Sequence, residues 1–226
     1  MKKSLLLILF LSFFCANYAQ DKINQSLKIE LDSIMKSDQL LREYVSVKSE
    51  TRKEEIIKEA GYANDPSFKN RIWLIMKTQD SINLIKIEKI ITEFGYPGKT
   101  LVGEPTNVAA FYVIQHSSEI AQYLPLIEQA AKKGEISFTR FAMMKDRYLT
   151  QQGKEQIYGT QIQGKLRTNP ETNRKEFFYY FSPMEDPSKV NKRRKKAGFE
   201  TTIEEYAKEM DVEYKVYTLD EIKKMN

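Results

Sequence analysis

The chain has 226 residues, 41% of them apolar, and 36 basic against 31 acidic residues give a formal charge of +5. That is enough apolar material for a substantial core, and too small a basic excess to point to a nucleic-acid partner. A single cysteine, Cys15, excludes an internal disulfide framework, and no stretch beyond the N-terminus is apolar for long enough to cross a bilayer.

Residues 1–19 read as a signal peptide. Lys2 and Lys3 form a basic start, Leu5 to Phe14 an apolar run, and Ala16 to Ala19 a short polar-small end. The run, about ten residues, suits a secretory signal and falls short of the roughly 20 that a spanning helix needs. Cleavage after Ala19 or Gln20 leaves an exported chain, periplasmic or secreted, without cysteine and with a charge of +3, which is +5 less Lys2 and Lys3. Phe13 and Phe14 argue against a lipoprotein anchored through Cys15, because a lipobox takes small residues there.

Residues 20–226 read as one globular domain: a helical part over 21–151, a β-hairpin over 156–182 and C-terminal helices over 186–212. The expected fold is mainly α, a helical bundle with a small hairpin in the C-terminal third, α+β overall. Ile23, Leu27, Ile29, Leu31 and Ile34 recur near helical spacing to about residue 37. Asp65 and Pro66 predict an N-cap and first helical position before Phe68 and Ile72. A separate helix is expected over 80–94, ended by Gly95 and the Pro97-Gly98 turn. Further helices are expected over 106–116, 118–133 and 137–151, the last two closed by Gly134 and Gly153. Residues 157–166 and 176–181 read as strands joined by a polar loop. Asp186-Pro187 starts a helix to Ala197, Thr202 with Glu205 forms a capping box for another, and residues 212–218 read as a short strand.

Strong catalytic signatures are missing. There is no Walker loop, no G-x-S-x-G elbow and no H-E-x-x-H. One histidine cannot build a typical zinc site without several carboxylates, so no metal is expected, and no motif names a cofactor. His116, at a helix end, is either a general acid or base or a histidine satisfied by the helix terminus. Asp146 lies near the apolar stripe of its helix and either orients an imidazole or ties two helices together. Its neighbour Arg147 diverges from it by about 100° and is an anion clamp candidate. Asp80 and Asn83, three apart, share a helix side and reach one ligand or cap a loop. Gln156, Tyr158, Thr160 and Gln161 surround Gly159 in a segment too polar for a core, read as a ligand-binding wall or as the hydrogen-bonded entry to the hairpin. In the basic run from Lys192 to Lys196, Arg194 is a further anion-binding candidate.

These segments resemble a bacterial domain-of-unknown-function family, often exported in its Bacteroidetes members. The resemblance rests on Asp80 to Asn83, Gly95 to Gly98, Val102-Gly103, Ala109-Ala110, Gln115-His116 and Asp146-Arg147. It continues in the Gly-x-x-Gln-x-Tyr-Gly-Thr-Gln motif from Gly153 to Gln161, and in Arg193-Arg194 with Gly198. It covers roughly residues 80–206. The family's pattern carries an acidic residue two places after the histidine, where Ser118 stands here. The resemblance implies no activity; it implies that His116, Asp146, Arg147, Tyr158, Gln161 and Arg194 share a pocket. The expected function is binding, or acting on, a small polar or anionic ligand. The rival is a non-catalytic structural or interaction module of the cell envelope.

Overall fold

Asn24 begins the first helix, its side-chain oxygen accepting from the backbone N–H of Leu27 at 3.1 Å in a computed structural model that describes residues 23–169 and 172–224. The expected signal peptide lies outside those residues. Helix α1 (Gln25–Ser46) buries Leu27, Leu31, Ile34 and Leu41 on one stripe, and so runs past the expected end near residue 37. Ser49 caps α2 (Glu50–Glu59), whose buried residue is Ile56. The two helices expected around Phe68 and over 80–94 are one, α3 (Phe68–Phe94), because no glycine or proline interrupts the span. It starts later than Asp65 predicts: that carboxylate accepts from the N–H and hydroxyl of Ser67 and closes a preceding turn instead.

Gly95, at φ 72°, ends α3 in a conformation costly for other residues. There follow α4 (Lys99–Val102), a 3-10 turn (Thr106–Val108), α5 (Ala109–Ile114), α6 (Ile120–Lys132) and α7 (Phe138–Gln151). The main core joins α1, the C-terminal half of α3 and α4 to α7, around Leu31, Ile87, Phe111, Ile114 and Ile127. A second cluster, around Ile56 and Phe68, joins the far end of α1 to α2 and the start of α3.

The hairpin pairs β1 (Ile162–Thr168) with β2 (Lys175–Phe181) in antiparallel register, Ile162 opposite Phe181 and Thr168 opposite Lys175. Pairing begins five residues later than position 157 predicts, because residues 156–161 curl around a carboxylate of α7. A 3-10 turn (Pro187–Lys189) leads into α8 (Val190–Ala197), and the expected capping box opens α9 (Ile203–Glu209). The strand expected over 212–218 is not formed among the described residues. Tyr214 and Tyr217 reach the hairpin by ring contacts with Phe181 at 5.8 Å and Phe178 at 6.0 Å, and not by ladder hydrogen bonds. Helix α10 (Leu219–Lys224) follows. The fold is mainly helical, α+β with one two-stranded hairpin among the described residues, and none of its described helices is long and apolar enough to cross a membrane.

Candidate functional site

The polar motif before the hairpin is held by charge where regular secondary structure is absent. Its backbone donors turn to Asp146 of α7. The carboxylate accepts from the N–H of Ile157 at 2.7 Å, of Tyr158 at 3.1 Å and of Thr160 at 3.1 Å, and from the Thr160 hydroxyl at 3.0 Å. Its backbone acceptors turn to α8: Arg193 Nε donates to the Ile157 carbonyl at 2.7 Å, and an Arg194 guanidinium nitrogen to that of Tyr158 at 3.0 Å. Gln156, wholly buried, donates through Nε2 to the carbonyls of Gln161 and Ser182 and accepts the Gln161 N–H at 2.8 Å. Asp146 and Gln156 thus answer backbone groups that no helix or strand serves. Gly159, at φ 69°, disfavours any side chain: an added Cβ would stand 2.5 Å from Ile203 Cδ1, which would have to give way.

Burial raises the Asp146 carboxyl above its usual range, and the hydrogen bonds from the strap before the hairpin, residues 156–161, pull the other way. Arg194 is 2% exposed, bonds Thr201 as well, and lies over the Phe199 ring at 4.6 Å. Asp146, Gln156 and Arg194 are therefore engaged in holding chain to chain.

A second polar group lies where α1, α3, the end of α5 and α7 meet. Arg42 of α1 pairs with Asp80 of α3 at 2.8 Å, donates to the Asp38 carbonyl, and approaches the Asp38 carboxylate at 3.5 Å. Burial pushes Asp38 up to about 6, and the Arg42 charge only partly offsets it. Wholly buried Asn83 accepts from the Ser37 hydroxyl at 3.0 Å and from Gln79 at 2.9 Å. Asp38 Oδ1 and Asn83 Nδ2 are buried without a hydrogen-bond partner.

His116 follows α5, its imidazole half-buried and without a hydrogen bond to any described residue. Burial, then the charges of Arg42 and Arg147, hold it down at about 3. It is a neutral imidazole throughout the physiological range. Arg147 is also lowered, by burial and then by Arg42. Its guanidinium has no ion pair and no hydrogen bond among the described residues, although it is partly buried. Arg42, His116 and Arg147 thus form an electropositive cluster in which one carboxylate is already paired and the other resists ionisation.

The six residues expected to share a pocket are divided. Arg147 and Gln161 line one cleft of about 410 Å³ between α7 and the hairpin, together with Lys154, Thr150, Gln163 and Ser182. No Asp or Glu lines it among the described residues. His116 and Asp80 line a groove of about 490 Å³ along α3. Tyr158 faces a third hollow, with Phe138 and Arg193. Asp146 and His116 make no hydrogen bond, because both oxygens of Asp146 are taken by the strap. Among the described residues no cluster of three His, Cys, Asp or Glu side chains could hold a metal ion.

Asp38 and Arg42 escape the sequence reading. The signal was present: Leu27, Leu31, Ile34 and Leu41 set a 4-3-7 spacing whose missing core position is Asp38. A carboxylate in an apolar stripe four residues before an arginine marks a buried polar site.

The class defined by these observations is a helical bundle whose α7 faces a polar cleft closed by a strap and hairpin. The chain belongs to a family of unknown function, DUF6624, whose family model matches residues 33–218. That match extends the resemblance on both sides and takes in Asp38 and Arg42. No curated protein and no solved structure matches the chain.

Proposed function

We propose that the chain binds a small anionic ligand, a carboxylate or phosphate, in the cleft between α7 and the hairpin. Arg147 is its clamp, Lys154 and Gln163 are supporting donors, and Gln161 lines the same wall with its Nε2 already given to the Met143 carbonyl and the Thr160 hydroxyl. The observation that carries this reading is the Arg147 guanidinium, partly desolvated, repelled by Arg42 and without a carboxylate partner. A partly buried cation left in that state is unfavourable, and an anion relieves it. The compartment we assign is outside the cytoplasm, on the strength of the basic and apolar pattern of residues 2–14. His116 lines the neighbouring α3 groove and not this cleft, so in this reading it senses the ligand only through the Arg147 charge. An anion beside Arg147 weakens the positive field on the imidazole and raises its pKa from about 3 towards the ordinary value.

The test is calorimetric and thermal titration of the chain with phosphate, sulfate, acetate and citrate. One of these anions is expected to bind and raise the melting temperature by mass action. Arg147→Met, which keeps the apolar stem, should abolish that response without lowering the melting temperature of the free protein. Equal binding by the variant, or no response to any of the four, overturns the reading. The chain has one histidine, so proton NMR of His116 reports its titration alone. Its midpoint should rise when the binding anion is added.

A further inference from the structure

The groove that His116 lines has a different chemistry from the α7 cleft. Its wall is a stripe on α3 made by Trp73, Met76, Lys77, Asp80 and Leu84, at spacings of three and four that bring the side chains to one helix face. Trp73 is 66% exposed, an unusual placement for the largest apolar side chain. Lys77, on the same stripe, has no ion pair among the described residues. Asp80, the acid of the wall, is engaged by Arg42 at 2.8 Å. The imidazole of His116 at the groove's other side has no hydrogen-bond partner among the described residues. The volume of about 490 Å³ falls in the range of small-molecule sites.

From this juxtaposition we infer that the α3 groove is a second binding site, for an amphipathic monoanion with a medium-length apolar tail. The carboxylate pairs with the Lys77 ammonium and accepts from the His116 N–H, and the tail covers Trp73, Met76 and Leu84. An unpaired ammonium and a free imidazole complement a negative head. A cationic head would meet Lys77 directly and would have only an already paired Asp80 to answer it.

Trp73 is the chain's single tryptophan, so its emission reports this groove and nothing else. The full chain is titrated with octanoate below its micellar concentration, with acetate and with octylamine. Octanoate should shift the emission to the blue saturably. Acetate, with the head and no tail, and octylamine, with the tail and the opposite charge, should each bind at least about tenfold more weakly. Lys77→Ala, at an exposed position, should weaken octanoate about tenfold with the melting temperature unchanged. Arg147→Met should leave octanoate binding intact, which separates this groove from the α7 cleft. The inference is overturned by any of four results: no saturable shift with octanoate, equal binding of octylamine, full affinity in Lys77→Ala, or loss of octanoate in Arg147→Met.

Discussion

Asp146 and Arg147 are adjacent in sequence and opposite in circumstance. Asp146 holds four donors of the strap, so Asp146→Ala leaves three backbone N–H groups and a hydroxyl without an acceptor in a buried place. The expected loss is roughly 3–5 kcal/mol in urea unfolding. Arg147 holds no side-chain partner among the described residues, and Arg147→Met should be neutral or stabilising by up to about 1 kcal/mol in the same assay. A loss of several kcal/mol there would show that the guanidinium serves the fold. Gly159→Ala should cost roughly 2–4 kcal/mol, because φ is 69° and the new Cβ would meet Ile203 at 2.5 Å. None of this needs the strap to be a ligand wall. Its amides and hydroxyl are satisfied internally, and the feature it offers the cleft is the side chain of Gln161 beside Arg147.

At the scale of elements, stops were more legible than joins. Gly95, Gly134, Gly153 and Gly198 end elements where the sequence puts them, all with positive φ, because glycine alone enters that region cheaply. The capping box of Thr202 and Glu205 also forms as read. Thr202→Ala should cost about 1 kcal/mol, measured by thermal unfolding, with the hairpin and α7 unaffected. Continuity was harder to read. Asp65-Pro66 resembles a helix start and is a turn, and Asp80 resembles a second start yet lies mid-helix, because Arg42 of α1 neutralises it there. Residues 157–161 look like strand and are not, since the N–H groups of Ile157, Tyr158 and Thr160 are drawn to a carboxylate eleven or more residues away. Local pattern cannot show a partner that only the tertiary fold supplies.

Across the whole molecule, two buried groups set opposing responses to pH. Folding raises Asp38 to about 6 from an ordinary 3.8, so the folded state holds the extra proton between those values and its stability falls as pH rises through them. Folding lowers His116 to about 3 from 6.5, so the unfolded state holds the extra proton and stability falls as pH drops from 6.5 towards 3. Between about pH 4 and 6 the two slopes cancel. Asp38→Asn removes one of them, and should stabilise the chain by about 3 kcal/mol at pH 7 and by less than about 1 kcal/mol at pH 4, by urea unfolding at both values. A gain of equal size at both, or none, would contradict the assignment. Asp80, Asn83, His116 and Arg147 were legible as candidates, whereas the burial of Asn83 and the division of the other three between two recesses were not, because both depend on how four helices cross. The neighbours on α7 also impose a rule of counting. One residue deleted between Ser137 and Asp146 would turn the following helix by about 100° and bring the Arg147 guanidinium towards the N–H groups that now face a carboxylate. The helix can vary in spelling at its exposed positions, yet its letter count upstream of Asp146 is fixed by electrostatics.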